Sequence, residues 1–229
     1  VGREEADMNH EKTLSAAHLS DNLYLARLEN HAGKGVLLIH AWWGLTPFFK
    51  RVCDRLATEG FVVLAPDFYH GKQAATIDEA RKLRSRLKQE IVAEEISQAA
   101  EKLHQFCCRT GDGLGLMGFS LGGYWGLWLA EHRPDLVTAA VVFYGTRHGD
   151  YATSQSAFQF HLAETDEYVT ASGVKKMQKS LAAADKVAAF YTYPGTGHWF
   201  FESDRPEAYN EPAAQLAWNR SVEFLKLYI

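Results

Sequence analysis

Gly118-Phe119-Ser120-Leu121-Gly122 places one hydroxyl where an apolar run meets a helical pattern, a junction at which a serine can become a nucleophile. Leu114 to Met117 reads as a short buried strand, and from Leu121 to His132 apolar residues recur at helical spacing, so Ser120 falls in a sharp strand-to-helix turn. Gly118 and Gly122 keep side-chain bulk out of that turn, and Gly123 lets the helix begin close to the strand. A hydroxyl attacks poorly unless an imidazole is positioned to take its proton. Downstream, Asp166 follows the apolar stretch Phe158 to Ala163, and His198 follows Val187 to Tyr193 through the tight turn Pro194-Gly195-Thr196-Gly197. Each therefore sits on a loop leaving the carboxyl end of a strand, in the chain order serine, acid, histidine. Taken singly, these are a turn serine, a helix-capping aspartate and a surface histidine. Their conjunction is specific. Glu164 and Glu167 are weaker candidates for the acid.

The rest of the chain reads as the scaffold those residues need. Leu23 to Leu28 is a first strand, and Val36 to His40 and Phe61 to Ala65 are continuous apolar runs of the kind buried on both faces. Phe48 to Thr58 is a helix ended by Gly60, and Asp78 to Phe106 is one kinked amphipathic helix or two successive ones. After the serine helix come a strand at Ala139 to Tyr144, the acid strand, a helix at Ser172 to Ala184, the histidine strand and a last helix at Pro212 to Leu227. Strands alternating with helices imply a mostly parallel twisted sheet with right-handed crossovers and helices on both faces. No repeat, low-complexity tract or linker divides the chain, so residues 13–229 are expected to form a single domain behind a flexible extension at 1–12.

Composition narrows the function classes. A formal charge of −4 over 229 residues, with no arginine-rich stripe, gives no electrostatic case for nucleic acid. Three cysteines, at 53, 107 and 108, have neither zinc spacing nor a secretory framework, which suits a reducing, cytoplasmic setting. No apolar run reaches the roughly 18 residues of a membrane span, and residues 1–12 lack the apolar core of a signal peptide. His40, His70 and His161 have no ligand spacing, so no metal is expected. Gly113 to Gly118 matches a dinucleotide fingerprint by letters, but the apolar strand residues fall between its glycines instead of before them.

A strand-to-helix serine also implies where an oxyanion would be held. The backbone N–H of Leu121, at the amino end of the helix, is the first expected donor, and that of Trp42, after the strand Val36 to His40, is the second, with Trp43 as the near alternative. Trp42, Trp43, Tyr69, Tyr144, Trp199, Phe200 and Phe201 lie at or just after strand ends, where the crevice of an open α/β sheet forms. As a class they favour apolar acyl or aryl groups.

The segments Gly118 to Gly123, Ala65-Pro66-Asp67-Phe68-Tyr69, Phe143-Tyr144-Gly145, Phe160-His161-Leu162 with Asp166, Tyr193 to His198 and Ala213 to Leu225 together resemble the dienelactone hydrolase family. That resemblance implies a compact α/β-hydrolase fold without a large cap, acting on lactones or esters without a cofactor. It also implies an arginine on the long helical segment that clamps a substrate carboxylate, for which Arg81 and Arg84 are the candidates. Three positions depart from the family's pattern. Ser120 stands where the namesake enzymes use cysteine, and Ala41 where they have a glutamate that controls the thiolate; a serine activated by histidine has no need of that glutamate. The second clamping arginine, four residues after the histidine, is replaced by Glu202, which beside a carboxylate would repel it, and Arg205 follows three residues late.

The sequence thus points to a serine hydrolase of small esters or lactones, monomeric or a small homo-oligomer, with Ser120, His198 and Asp166 as its triad. A small peptidase or acyltransferase on the same triad is the nearest alternative. A non-catalytic binding protein of hydrolase fold is the other.

Overall fold

The computed structural model describes residues 13–20, 22–29, 32–107 and 112–229; the expected extension at 1–12 and Cys108 lie outside the described residues. In chain order the elements are β1 (Leu14–Ser20), β2 (Leu23–Leu28), β3 (Gly35–Ile39), α1 (Pro47–Thr58), β4 (Val62–Pro66), α2 (Ile77–Ser85) and α3 (Gln89–Cys107). They continue with β5 (Leu114–Phe119), α4 (Leu121–His132), β6 (Val137–Phe143), β7 (Ala157–Ala163), α5 (Ala171–Ala183), β8 (Ala188–Tyr193) and α6 (Glu211–Tyr228). One eight-stranded sheet runs in the order β1-β2-β4-β3-β5-β6-β7-β8. β4, β3 and β5 to β8 are parallel, whereas β1 and β2 run antiparallel at one edge.

Side chains of successive strand residues point to opposite faces, and this divides the core in two. Val36, Leu38, Met117, Phe119 and Val141 face one apolar cluster, closed by Phe49, Val52 and Leu56 of α1 and by Ala217, Trp218 and Val222 of α6. Leu37, Ile39, Leu116, Ala140 and Val142 face the other, closed by Val92, Ile96 and Leu103 of α3 and by Leu127 of α4. Strands that feed two dry layers must be apolar at every position, which is why β3, β4 and β5 are buried throughout.

Local chemistry fixes the element ends. Pro47 opens α1, where its missing N–H costs nothing, and Gly60, at φ +95°, carries the chain away after it. The open question over residues 78–106 resolves as two helices. A capping box of Thr76 and Glu79 starts α2, which closes at Arg86 with its N–H bonded back to Leu83, and α3 begins three residues later. The sheet also holds a strand that the sequence reading did not assign, β1, whose residues Leu14, Ala16 and Ala17 are exposed. With no fully buried residue over 14–17, that stretch carries no apolar signal.

The turn after β5 brings α4 very close to β3. A Cβ on Gly122 would lie 2.1 Å from the Ile39 carbonyl oxygen, and one on Gly118 would lie 2.5 Å from that of Gly122. Both obstacles are backbone and cannot swing aside. Gly122→Ala is therefore expected to cost roughly 3 kcal/mol, a fall of about 6 to 12 °C in Tm by calorimetry, with activity lost in parallel.

Candidate active site

The serine stands on the turn between β5 and α4 with φ +50° and ψ −109°, a conformation that a non-glycine residue holds only when its surroundings over-determine it. They do so here. The Ser120 N–H donates to the Phe143 carbonyl at 2.9 Å, and its own carbonyl accepts from Tyr124 N–H at 3.1 Å, so both sides of the turn are tied down. The hydroxyl then lies 2.9 Å from His198 Nε2.

His198 arrives on the loop after β8, held by a short set of hydrogen bonds. Thr196 Oγ1 donates to the Tyr193 carbonyl at 2.7 Å, Thr165 N–H donates to the Thr196 carbonyl at 3.1 Å, and Glu164 Oε2 accepts from Gly195 N–H at 2.9 Å. Glu164 thus braces the histidine turn. The carboxylate that meets the imidazole is that of Asp166, with Oδ2 2.7 Å from His198 Nδ1. Its other oxygen accepts from the N–H groups of Tyr168 at 2.8 Å and Val169 at 2.9 Å. An ionised carboxylate only accepts, so the imidazole proton sits on Nδ1 and Nε2 is left free to take a proton from the serine. Both side chains are nearly closed to solvent. Glu167 is exposed and lines an outer cleft behind the histidine.

Ser120 opens into a pocket of about 390 Å³ lined among others by Trp42, Leu121, Tyr144, Tyr168, Trp125 and Arg84. Of the residues proposed from sequence, Trp42, Leu121, Tyr144 and Arg84 are brought to it. Trp43, 2% exposed, lies in the core, and the Arg205 guanidinium packs over its ring at 3.8 Å. Tyr69 is buried and borders a separate cleft beside α3. Trp199 stacks on Trp42, with ring centroids 6.2 Å apart, and faces the outer cleft. Arg81 is exposed, paired with Asp78 at 3.2 Å, and is not among the residues that line the pocket. Sequence reasoning missed Tyr124, Trp125 and Tyr168: the first two lie on α4, where an aromatic at helical spacing is indistinguishable from core, and the third on the acid loop.

Glu202 is not at the pocket rim beside a substrate, as its position in sequence suggested. It is completely buried, and the Tyr144 hydroxyl donates to its Oε1 at 2.8 Å. Burial drives its carboxyl up from the ordinary 4.5 to about 8; the Tyr144 hydrogen bond pulls the other way and loses. Burial thus favours the protonated carboxyl at neutral pH. Tyr144, at φ +35° and with its ring 4.8 Å from that of His198, couples this buried acid to the wall of the pocket.

The three histidines weighed as metal ligands each have other partners. His161 Nδ1 meets the Tyr193 hydroxyl at 2.7 Å and Nε2 meets Ser221 Oγ at 2.9 Å, and burial lowers its pKa to about 3. His70 faces Glu95 at 3.2 Å, and His40 lies behind the Trp42 loop. Among the described residues no group of three or more His, Cys, Asp or Glu side chains could hold a metal ion. No helix among them is long and apolar enough to cross a membrane.

The family model described as the dienelactone hydrolase family matches residues 22–229, nearly the whole chain. The chain belongs to that family. A protein of Aquifex aeolicus (strain VF5) named as a carboxymethylenebutenolidase is 33% identical over 207 residues, covering 86% of this chain and 90% of that one. "Protein usf" of Aquifex pyrophilus is 36% identical over 206 residues, 86% of this chain and 89% of its own length. Among solved structures, one from Klebsiella pneumoniae subsp. pneumoniae MGH 78578 described as a dienelactone hydrolase superposes with a TM-score of 0.80 at 26% identity, covering 90% of this chain and 92% of that one. The mostly parallel sheet covered on both faces is the α/β-hydrolase fold of this family, and the chain is a hydrolase of the carboxylic ester class.

Proposed function

We propose that this dienelactone hydrolase family member cleaves small carboxylic esters or lactones through an acyl-enzyme formed on Ser120. The observation that carries the reading is the continuous pair of hydrogen bonds from Ser120 Oγ to His198 Nε2 (2.9 Å) and from His198 Nδ1 to Asp166 (2.7 Å), opening on a pocket with an apolar wall. As Oγ attacks the acyl carbon, His198 takes its proton. The bond to the leaving oxygen then breaks and that proton is returned to it. Water repeats the sequence, with His198 as base, and frees Ser120. Asp166 keeps the imidazole in the required tautomer and stabilises the imidazolium. The oxyanion is held by the N–H of Leu121, first residue of α4, which has no intrahelical acceptor, and by that of Trp42. Each such donor is worth about 3 kcal/mol in the transition state.

A panel of p-nitrophenyl esters and small lactones of graded length and charge tests this. Short uncharged esters should be turned over without added metal, unaffected by chelator, and a fluorophosphonate should label Ser120 alone. Activity that vanishes on chelation and returns with zinc would overturn the mechanism.

Arg84 is the cation among the residues lining the pocket, and it is exposed. It supports acceptance of an anionic arm on the substrate. Arg84→Ala should therefore lower kcat/KM for a carboxylate-bearing lactone about threefold to fivefold relative to a neutral ester of equal size, an exposed pair being worth up to about 1 kcal/mol, and the gap should shrink at high salt. Equal effects on both substrates would remove Arg84 from the substrate's path.

A further inference from the structure

His40 is completely buried, belongs to no part of the triad, and sits at the end of β3 directly before the loop that carries Trp42. Its Nδ1 lies 2.7 Å from the carbonyl oxygen of Ala41, the next residue. The same oxygen accepts from Gly44 N–H at 3.2 Å, closing a turn over 41–44 in which Gly44 takes φ +92°. A carbonyl cannot donate, so Nδ1 carries the ring proton and Nε2 is bare. Nε2 has no hydrogen-bond partner and stands 3.6 Å from Asp67 Oδ1. Asp67 is in turn fixed by the N–H groups of Tyr69 at 3.0 Å and Gly71 at 2.8 Å. The imidazole is clamped on its face as well, stacked on Phe68 with centroids 3.9 Å apart. Burial lowers its pKa against the pull of Asp67, which agrees with the neutral form.

The atom His40 grips belongs to one particular peptide. The Ala41 carbonyl and the Trp42 N–H are the two ends of a single planar unit, and none of the described peptide bonds is cis, so the two point in opposite directions. Holding the oxygen therefore aims the N–H. A proton donated into the carbonyl also polarises the amide, which makes its N–H a stronger donor at the moment negative charge appears in front of it. On the far side, the absence of a side chain at Gly122 lets α4 close onto the carbonyls of Ile39 and His40, bringing Leu121 to the same spot.

We infer that His40 is a positioning residue for the oxyanion hole: through its Nδ1–H on the Ala41 carbonyl it orients and strengthens the Trp42 donor, with the stack on Phe68 holding the ring in place. The inference rests on the ester hydrolase reading above and on Trp42 as a donor. It assigns His40 to stabilising the transition state, not to binding substrate.

His40→Phe keeps an aromatic ring on Phe68 but has no donor, whereas His40→Asn loses the ring and keeps an N–H at the place of Nδ1. The readouts are kcat and KM on p-nitrophenyl acetate, Ki for a trifluoromethyl ketone that forms an oxyanion on the serine, and Tm. His40→Phe should lower kcat about 10- to 100-fold with KM within about threefold, and weaken the ketone by the same factor as kcat/KM. His40→Asn should recover much of that loss in both readouts even where its Tm is lower. A merely structural residue would not make ketone affinity follow kcat/KM in proportion. If His40→Phe does not accumulate as folded protein, His40→Gln, whose amide falls at the place of Nε2, takes its part in the comparison with His40→Asn, and ketone affinity unchanged while kcat falls overturns the inference. So does a folded His40→Phe of wild-type rate. A wild type that neither turns over these esters nor binds the ketone would sink the serine hydrolase reading, and the inference with it; an active wild type beside an unaffected variant sinks the inference alone.

Discussion

Ser120→Ala and His198→Ala should each lower kcat on a short neutral ester by roughly 10⁴- to 10⁶-fold, and the double variant should be little worse than either alone. The two side chains are links in one proton transfer: without the imidazole the hydroxyl 2.9 Å away keeps its proton, and without the hydroxyl the imidazole has nothing to activate. Additive losses would mean that they act separately and would contradict the mechanism. Asp166→Asn should be milder, of the order of 10²- to 10⁴-fold, because the serine and histidine remain while the imidazole tautomer is no longer fixed. Glu167→Gln should leave the rate within about twofold, its carboxylate being exposed and outside the triad. Glu164→Gln should cost more, through the turn it braces at Gly195, and mainly as stability. A full rate in Asp166→Asn with loss in either glutamate variant would move the acid elsewhere. All of these are read by steady-state kinetics, with circular dichroism to confirm the fold.

The hydrogen-bonded arrangement of Ser120, His198 and Asp166 was legible because each residue is announced by local chemistry. An apolar run, a glycine-flanked serine and a helical pattern mark a strand-to-helix turn, and the strand ends before Asp166 and His198 are marked by polar and Pro/Gly breaks. The parallel strands were legible for a related reason: β3, β4 and β5 are buried on both faces and so apolar at every position. β1 was not, since an edge strand with exposed alanines looks like a polar tail. Neither was the sorting of the aromatic residues. Trp42 and Trp43 are adjacent in sequence, yet the first lines the pocket and the second is sealed in the core beneath Arg205. Which of two neighbouring rings faces the substrate depends on the turn at Gly44 and on what packs against it from Trp199 and Arg205, contacts from the opposite end of the chain. The same limit explains Glu202: spacing from His198 located its backbone correctly on the histidine loop but carried no information about burial.

That burial gives the second large effect. Between the ordinary carboxyl value of 4.5 and about 8, the unfolded chain releases the Glu202 proton while the folded protein keeps it. The unfolded state then binds fewer protons, so stability from this group falls as pH rises through that window, by about 1.4 kcal/mol per pH unit, and levels off above it. Glu202→Gln keeps an oxygen for the Tyr144 hydroxyl and removes the titration. The variant should be near wild-type stability at pH 5 and become more stable than wild type by several kcal/mol at pH 8, in urea unfolding measured at each pH; the other titrating groups cancel in the difference. Asp204 adds to the upward push on Glu202, while Arg205 opposes it, so Arg205→Gln should carry the fall on to higher pH at the same slope. Parallel pH curves for wild type and Glu202→Gln would show that the carboxyl is ionised in the folded protein, against the burial argument. A permanent positive charge at the same position has no such escape by deprotonation. Glu202→Arg should therefore fail to fold instead of improving the capture of an anionic lactone, because the guanidinium would be sealed in the core next to Arg205.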